Sequence, residues 1–320
     1  LVESNQLTRR QTGGQPIPIP SAQLDRWTNA TGATTSAQET HQHVRSTLTE
    51  ADLFNEQTEC DLHTLLQGSY RTGTLVHGSG DVDILAINTA VWRSNAESLT
   101  DQEHQQYQRD ITKASYGYNQ FLSDVADVLR DKYGFLAVNN SSGPAIKIDS
   151  DSATGISLDA DVVPVLRYRY FTQYPQHTKG ICFDSGSELT FNFPEQHISE
   201  GEDLNSSTDG EYNRTIRMFK NARNRLVREN TLGKSTVPSY FIECLLSNVP
   251  EHIVETADLQ SRYLGVLRAW TDTEGSDFTP QHDVADRLLF GDDPQQWNTE
   301  DYITALEGFI DLFENWEDYS

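Results

Sequence analysis

Leu66-Gln67-Gly68-Ser69-Tyr70-Arg71-Thr72-Gly73-Thr74 and, with eleven residues between Ser69 and Asp81, Asp81-Val82-Asp83-Ile84 form the stretch on which the fold turns. The apolar run Leu62 to Leu66 predicts a strand that Gly68-Ser69 closes, and Val82 to Ile87 predicts a second. Side chains alternate along a strand, so Asp81 and Asp83 share one face while Val82 and Ile84 take the other. Two neighbouring carboxylates repel and resist burial, a conflict that a divalent cation resolves. Hard Mg²⁺ prefers carboxylate oxygens and keeps positions open for water and phosphate. A Gly-Ser turn lets backbone N–H groups and a hydroxyl approach phosphate oxygens closely. Each half has a bland counterpart: in a chain with 48 acids the pair can be a solvated face, and a Gly-Ser turn can be only a turn. The spacing fits neither a Walker A loop nor a G-x-G-x-x-G fingerprint. The order of strand, Gly-Ser, short insert and Asp-x-Asp strand is what singles the region out.

Downstream, Leu158-Asp159-Ala160-Asp161-Val162-Val163-Pro164 places two more acids on one strand face. A strand beside the Asp81/Asp83 strand would bring a third carboxylate to the same cation, and periodicity does not separate Asp159 from Asp161. Pro164 predicts a sheet edge or the end of a ladder. Between Arg214 and Arg228, six of the chain's 24 basic residues fall within fifteen positions without an acid. Arg217 and Lys220, three apart, share a helix face. This helix either presents cations to a triphosphate or pairs with the protein's own acids.

Around these segments the chain reads as a mixed α/β half followed by an all-helical half. A helix is expected through Tyr118, Phe121, Leu122, Val125, Val128 and Leu129, stopped by Gly134. Strands are expected at Ala145 to Ile148 and Ile156 to Leu166. Glu195 to Glu211 reads as a loop, and helices at Tyr212 to Glu229, Ser239 to Ser247, Glu255 to Trp270 and Thr299 to Glu317. The run Pro16-Ile17-Pro18-Ile19-Pro20 cannot hold a helix, so residues 1–20 read as a tail or strap. The expected division is a sheet lobe at 21–200 and a helical lobe at 201–320.

With 24 Lys plus Arg against 48 Asp plus Glu, the net charge is −24, which excludes a basic nucleic-acid coat or a polybasic membrane anchor. Thirty-six per cent hydrophobic residues supply a core, so acidity here does not mean disorder. Only six of the basic residues are Lys, a composition that predicts solubility in concentrated salt and a halophilic source. Cys60, Cys182 and Cys244 are too few and scattered for a disulfide framework or structural zinc, which fits a reducing cytoplasm. No apolar run approaches the ~18 residues of a membrane span. No Ser/His/Asp or Cys/His arrangement can be argued from sequence order.

Taken together these residues resemble the polymerase-β-like nucleotidyltransferases, and among them the cGAS/DncV-like group, the CD-NTases. The signature is a hydrophobic residue, Gly, Gly or Ser, a spacer, and acid-hydrophobic-acid-hydrophobic. It reads here as Leu66, Gly68-Ser69 and Asp81-Val82-Asp83-Ile84, with polar Gln67 before the glycine as the one departure. The resemblance spans about Leu62 to Pro250. It implies an α+β fold with a mixed-sheet lobe and a C-terminal helical lobe that closes a nucleotide cleft. Asp161-Val162-Val163-Pro164 is similar to the group's third-carboxylate strand, which implies Asp161 rather than Asp159. Tyr212 to Arg225 resembles the helix whose lysine binds the donor triphosphate, here Lys220. Ser239-Tyr240 resembles a Ser-Tyr pair in which the hydroxyl meets phosphate and the ring stacks on a base.

The resemblance further implies two Mg²⁺ or Mn²⁺ ions on Asp81, Asp83 and Asp161, with phosphate contacts from Gly68, Ser69 and Lys220. Substrates would be nucleoside triphosphates, ATP first, with GTP or UTP beside it. The product would be a cyclic di- or trinucleotide that activates an effector in antiphage defence of the CBASS type, made in the cytoplasm without membrane or nucleic-acid partners. Two competitors stay open: linear nucleotidyl transfer to RNA or protein, and a non-catalytic nucleotide-binding scaffold.

Overall fold

The computed structural model describes residues 17–30, 34–76, 81–141, 143–184, 189–272, 288–291 and 296–319. In chain order the helices and strands are α1 (Ser21–Thr28), α2 (Thr34–Thr49), α3 (Asp52–Glu56), β1 (Leu62–Leu66), α4 (Gly68–Thr72), β2 (Val82–Ser94), α5 (Asp101–Asp110) and α6 (Tyr118–Tyr133). They continue with β3 (Val138–Asn139), β4 (Ile146–Ile148), β5 (Ala160–Phe171), β6 (His177–Asp184), β7 (Leu189–Asn192), α7 (Pro194–Ser207) and α8 (Glu211–Arg228). The last are α9 (Ser239–Ser247), α10 (Glu251–Val254), α11 (Leu259–Thr271) and α12 (Thr299–Glu314). The chain divides into two compact units, residues 31–198 and residues 1–30 with 199–320.

The first unit is built on a seven-stranded mixed sheet of order β1-β2-β5-β4-β3, with β6 on β5 and β7 on β6. β2 and β5 run parallel and the other pairs antiparallel. Val82, Ile84, Ala86, Ile146, Ala160 and Val162 are fully buried, every second residue, as a pleated strand requires. Helices α2 and α6 pack against the sheet, and Val44, Leu48, Phe121, Val125 and Leu129 are fully buried. A smaller cluster of Leu85, Ile87, Val165 and Ile181 occupies the alternate positions of the same strands, and so the other face. Where the β2–β5 register shifts, buried Asn88 holds the irregularity. Its amide donates to the Glu59 carbonyl at 2.9 Å, and its oxygen accepts from Asp61 N at 3.2 Å and Ala90 N at 3.0 Å.

The second unit is helical around α8. Ile216, Phe219, Ala222 and Leu226 recur every three or four residues and share one core with Phe241, Ile242, Tyr263, Trp270, Phe309 and Leu312. Phe219 stacks on Tyr263 at 4.6 Å between ring centroids. Ile17 donates to the Glu314 carbonyl at 2.9 Å and accepts from Trp316 N at 3.1 Å, so the strap is pinned to the far end of the chain. The expectation of a tail at 1–20 is thus described only from residue 17; residues 1–16 lie outside the described residues.

Several expectations change. Residues 21–30, expected in the sheet lobe, belong with the helices. Leu24 and Trp27 enter the helical core, and the α1 carbonyls of Trp27 and Thr28 accept from Asn221 at 3.0 Å and Arg217 at 2.7 Å. Most of Glu195 to Glu211, expected as a loop, lies in helix α7, which is opened by Pro194 at its first position where no N–H partner is needed. Pro164, expected at a sheet edge or at the end of a ladder, does end a ladder, though in a central strand rather than at an edge. It falls between the part of β5 that pairs with β4, through Val162, and the part that pairs with β6, from Leu166. The helix expected at Glu255 to Trp270 starts at Leu259, because Asp258 caps it by accepting from Ser261 N at 2.8 Å. No helix among the described residues is long and apolar enough to cross a membrane.

Candidate functional site

The parallel β2–β5 pair puts Asp83 and Asp161 opposite each other as register partners. Both are odd-numbered, so they stand on the face opposite buried Val82, Ile84 and Val162. Asp81 lies one residue before β2, exposed, on the same alternation. Burial, and after it the charge of Asp81, raises the Tyr70 hydroxyl above its ordinary value, which marks Asp81 as a neighbour of the α4 turn.

The Gly-Ser turn and the acids meet at Gly68. Gln67 N donates to the Asp83 carbonyl at 2.8 Å, which ties the end of β1 to the acid strand. Gly68 then takes φ +72°, and a Cβ there would stand 2.1 Å from Asp83 Oδ2. Glycine is required twice over, by the left-handed backbone and by the carboxylate lying against it. Ser69 follows in the first turn of α4, half-buried.

Asp159 and Asp161, equivalent by periodicity, part company in the structure. Asp159 Oδ1 accepts from Ser150 N at 2.8 Å and Ser150 Oγ at 2.6 Å, bonds that hold a turn and lower its pKa. Asp161 lies beside Asp83, and its Oδ2 is 3.4 Å from Nζ of Lys147, its register partner on β4. Lys147 escaped the sequence reading. A lysine alternating with two apolar residues in Ile146-Lys147-Ile148, in a chain with six lysines, is the signal that could have found it.

Among the described residues no three Asp, Glu, His or Cys side chains are gathered closely enough to hold an ion. What the strands supply is an adjacent pair, Asp83 and Asp161, with Asp81 close by. The donor set fits a hard divalent cation: every candidate ligand atom is a carboxylate oxygen, and the cradle at Gly68 leaves the Asp83 carboxylate room that a Cβ would fill.

The helical unit holds the remaining candidates. Lys220 is 2% exposed and donates to Glu243 Oε1 at 2.5 Å; Glu243 is itself 7% exposed. The other bases of α8 also meet groups of their own unit. Arg214 pairs with Glu211 at 3.1 Å, Arg223 Nε donates to the Val237 carbonyl at 2.9 Å, and Arg225 and Arg228 flank Glu229. The negative partners that this basic run called for are thus carboxylates and carbonyls of the protein. Glu243 was missed, although a single acid inside the apolar helix SYFIECLL demands a buried cation. Ser239 is exposed at the start of α9, and the Tyr240 ring lies 5.8 Å from Trp297 at the edge of the helical core.

Residues 199–314 match the family model of the cGAS/DncV-like nucleotidyltransferase C-terminal helical domain. The chain is 33% identical to the cyclic UMP-AMP synthase of Rhodothermus marinus over 309 residues, 94% of this chain and 99% of that protein. It is 32% identical to the cyclic nucleotide synthase CdnE01 of Staphylococcus haemolyticus over 296 residues, 89% of this chain and 95% of the relative. The solved structure of Rhodothermus marinus CdnE c-UMP-AMP synthase with Apcpp and Upnpp matches with a TM-score of 0.79 at 31% identity, covering 95% of this chain and 98% of that one. The Elizabethkingia meningoseptica CdnE cyclic dinucleotide synthase, with GTP and Apcpp, shares the fold at a TM-score of 0.72 and 23% identity, covering 91% of this chain and 97% of that one.

Proposed function

Since the chain belongs to the cGAS/DncV-like nucleotidyltransferases, we propose that it condenses nucleoside triphosphates into a cyclic dinucleotide, or a trinucleotide, with release of pyrophosphate. It is an enzyme of nucleotidyl transfer, and its α+β fold is that of the family. The observation that carries the reading is the register pairing of Asp83 with Asp161 against the Gly68 cradle.

Asp81, Asp83 and Asp161 would hold two Mg²⁺ or Mn²⁺ ions, which when bound supply charge neutralisation for the triphosphate and acidify the attacking hydroxyl. The residues of the chain orient the rest. Gly68 N–H and Ser69 Oγ would donate to the oxygens of a phosphate chain bound beside Asp83. A ribose hydroxyl oxygen bonds to the α-phosphorus, the α–β bridging P–O bond breaks, pyrophosphate leaves with the electron pair, and the hydroxyl proton passes to solvent. A second transfer closes the ring. Lys220, Ser239 and Tyr240 are the helical unit's candidates for the donor triphosphate and base. Their support is the resemblance of their segments; the Lys220 ammonium is engaged by Glu243.

ATP is the first substrate proposed, with UTP or GTP as the second; the support is the name of the Rhodothermus marinus relative and the nucleotides in the two solved structures. The product would act in the cytoplasm on an effector protein in antiphage defence of the CBASS type. The acid-rich, lysine-poor composition further supports a salt-adapted source.

The test is incubation with labelled nucleoside triphosphates and Mg²⁺ or Mn²⁺, then phosphatase. A phosphatase-resistant product whose mass is that of a cyclic dinucleotide or trinucleotide is expected. A linear ladder, or binding without turnover, would remove the cyclase reading.

A further inference from the structure

The sheet-bearing unit carries a polar concavity remote from the carboxylates. A cavity of about 280 Å³ is lined by His63, Thr89, Arg167, Arg169, His177 and Lys179. Strands β1, β2, β5 and β6 each contribute, so the floor is sheet rather than loop. Arg169 and Lys179 are register partners across the antiparallel β5–β6 pair and emerge side by side. Arg167 and His177 lie two residues away on their strands, on the same face. Five of the six lining residues are basic or imidazole and none is acidic, in a chain of net charge −24.

Like charges directly opposite one another destabilise a ladder, so this juxtaposition needs a compensating anion. The protein supplies only part of one. Glu195 takes Arg167 at 2.9 Å, and Asp61 at the rim lies 3.4 Å from His63 and accepts from Thr89 Oγ1 at 2.5 Å. Among the described residues no carboxylate pairs with Arg169 or Lys179. Arg169 instead lies over the Trp92 ring, its Cζ 3.7 Å from the centroid, which holds the guanidinium in place in advance. Arg167 is six residues along β5 from Asp161, a separation of about 20 Å at the rise of a strand. Leu85, Ile87, Val163 and Val165 fill the interval.

We infer that this cavity is a binding site for a small phosphorylated molecule, distinct from the carboxylate centre, with the Arg169 guanidinium as its oriented fork and the Lys179 ammonium as its mobile point charge. A planar guanidinium matches phosphate oxygens in pairs, while an ammonium adjusts to whatever oxygen remains. The size suits a pyrophosphate or a single nucleotide. A polynucleotide would need a basic track over several successive phosphates, and the six lining residues form one closed cluster. Pyrophosphate and a nucleoside monophosphate share the recognised chemistry, a multiply charged phosphate group, and binding separates them.

The experiment is calorimetric titration of the full chain in EDTA with inorganic pyrophosphate, with AMP, and with a twelve-nucleotide RNA. Saturable binding of pyrophosphate is expected, weakened at least about tenfold in the Arg169→Gln/Lys179→Gln double variant. Binding of AMP as well assigns a phosphorylated nucleoside; binding of pyrophosphate alone assigns a bare phosphate. Lys179 is exposed, so Lys179→Gln leaves the core intact, and a loss of about threefold in that variant carries the test if the double variant unfolds. Equal affinity in the wild type and the Lys179 variants, no saturable binding of either small anion, or binding of RNA alone overturns the inference.

Discussion

Asp83 and Asp161 lie directly opposite each other on adjacent parallel strands, with Lys147 on the next strand to meet only one of them, at 3.4 Å from Asp161. Neighbouring carboxylates of this kind cost stability and persist where their charge is used. Replacing Asp83 by Asn is expected to lower turnover by at least about 10³-fold, several kcal/mol of barrier. The melting temperature should stay equal or rise, because one repulsive charge is gone. Product formation and thermal unfolding of the same preparation check both halves.

Gly68→Ala combines two penalties. The left-handed backbone costs an L-residue about 1–2 kcal/mol. The new Cβ would also meet Asp83 Oδ2 at 2.1 Å, so the carboxylate must move. Turnover should fall as far as in the Asp83 variant, with an added loss of stability. Gly201→Ala is the control, since nothing lies within 4 Å of a Cβ there. Chemical denaturation and product assays of the two variants separate the effects.

Lys220 and Glu243 form a buried pair, 2% and 7% exposed. Removing either partner alone breaks the buried ion pair, so Lys220→Met or Glu243→Leu is expected to destabilise by about 3–5 kcal/mol. The double change should recover most of that loss. A double-mutant cycle in urea measures the coupling; additive single losses would show that the two charges do not depend on each other.

Glu59 Oε2 accepts from Ser115 Oγ at 2.8 Å, Tyr116 N at 2.7 Å and Ser115 N at 2.9 Å, and so clasps the approach to α6. These bonds, the Ser115 hydroxyl foremost, lower its pKa. A carboxylate with a depressed folded value stabilises above its unfolded value and loses that contribution as pH falls through the folded one. The gap in melting temperature between wild type and Glu59→Ala should therefore be full above about pH 5 and close toward pH 3. A gap that widened on acidification would contradict the clasp.

Legibility followed the range of the forces involved. β1, the Gly-Ser turn and β2 were readable because alternation and a single glycine act within a few residues. The choice between Asp159 and Asp161 was not, since periodicity treats them alike and only the Ser150 hydrogen bonds and the β2 register distinguish them. Helix α7 has a sparse apolar pattern and reads as loop; its start depends on Pro194 and its packing on Ile198. The roles of Lys147 and Glu243 are tertiary: each is defined by a partner on another element, Asp161 and Lys220. The assignment of residues 21–30 to the helical unit likewise depends on Trp27 meeting Trp316 at 5.7 Å, almost the full chain length away.

The central claim is that the strand acids beside Gly68 are the metal-holding reaction centre. It is tested most directly by the anomalous diffraction signal of Mn²⁺ in crystals grown with a non-hydrolysable ATP analogue. The account predicts manganese within about 2.0–2.3 Å of oxygens of Asp83 and Asp161, with Asp81 drawn in as a further ligand. Manganese bound elsewhere, with Asp83 and Asp161 not coordinating it, would contradict it.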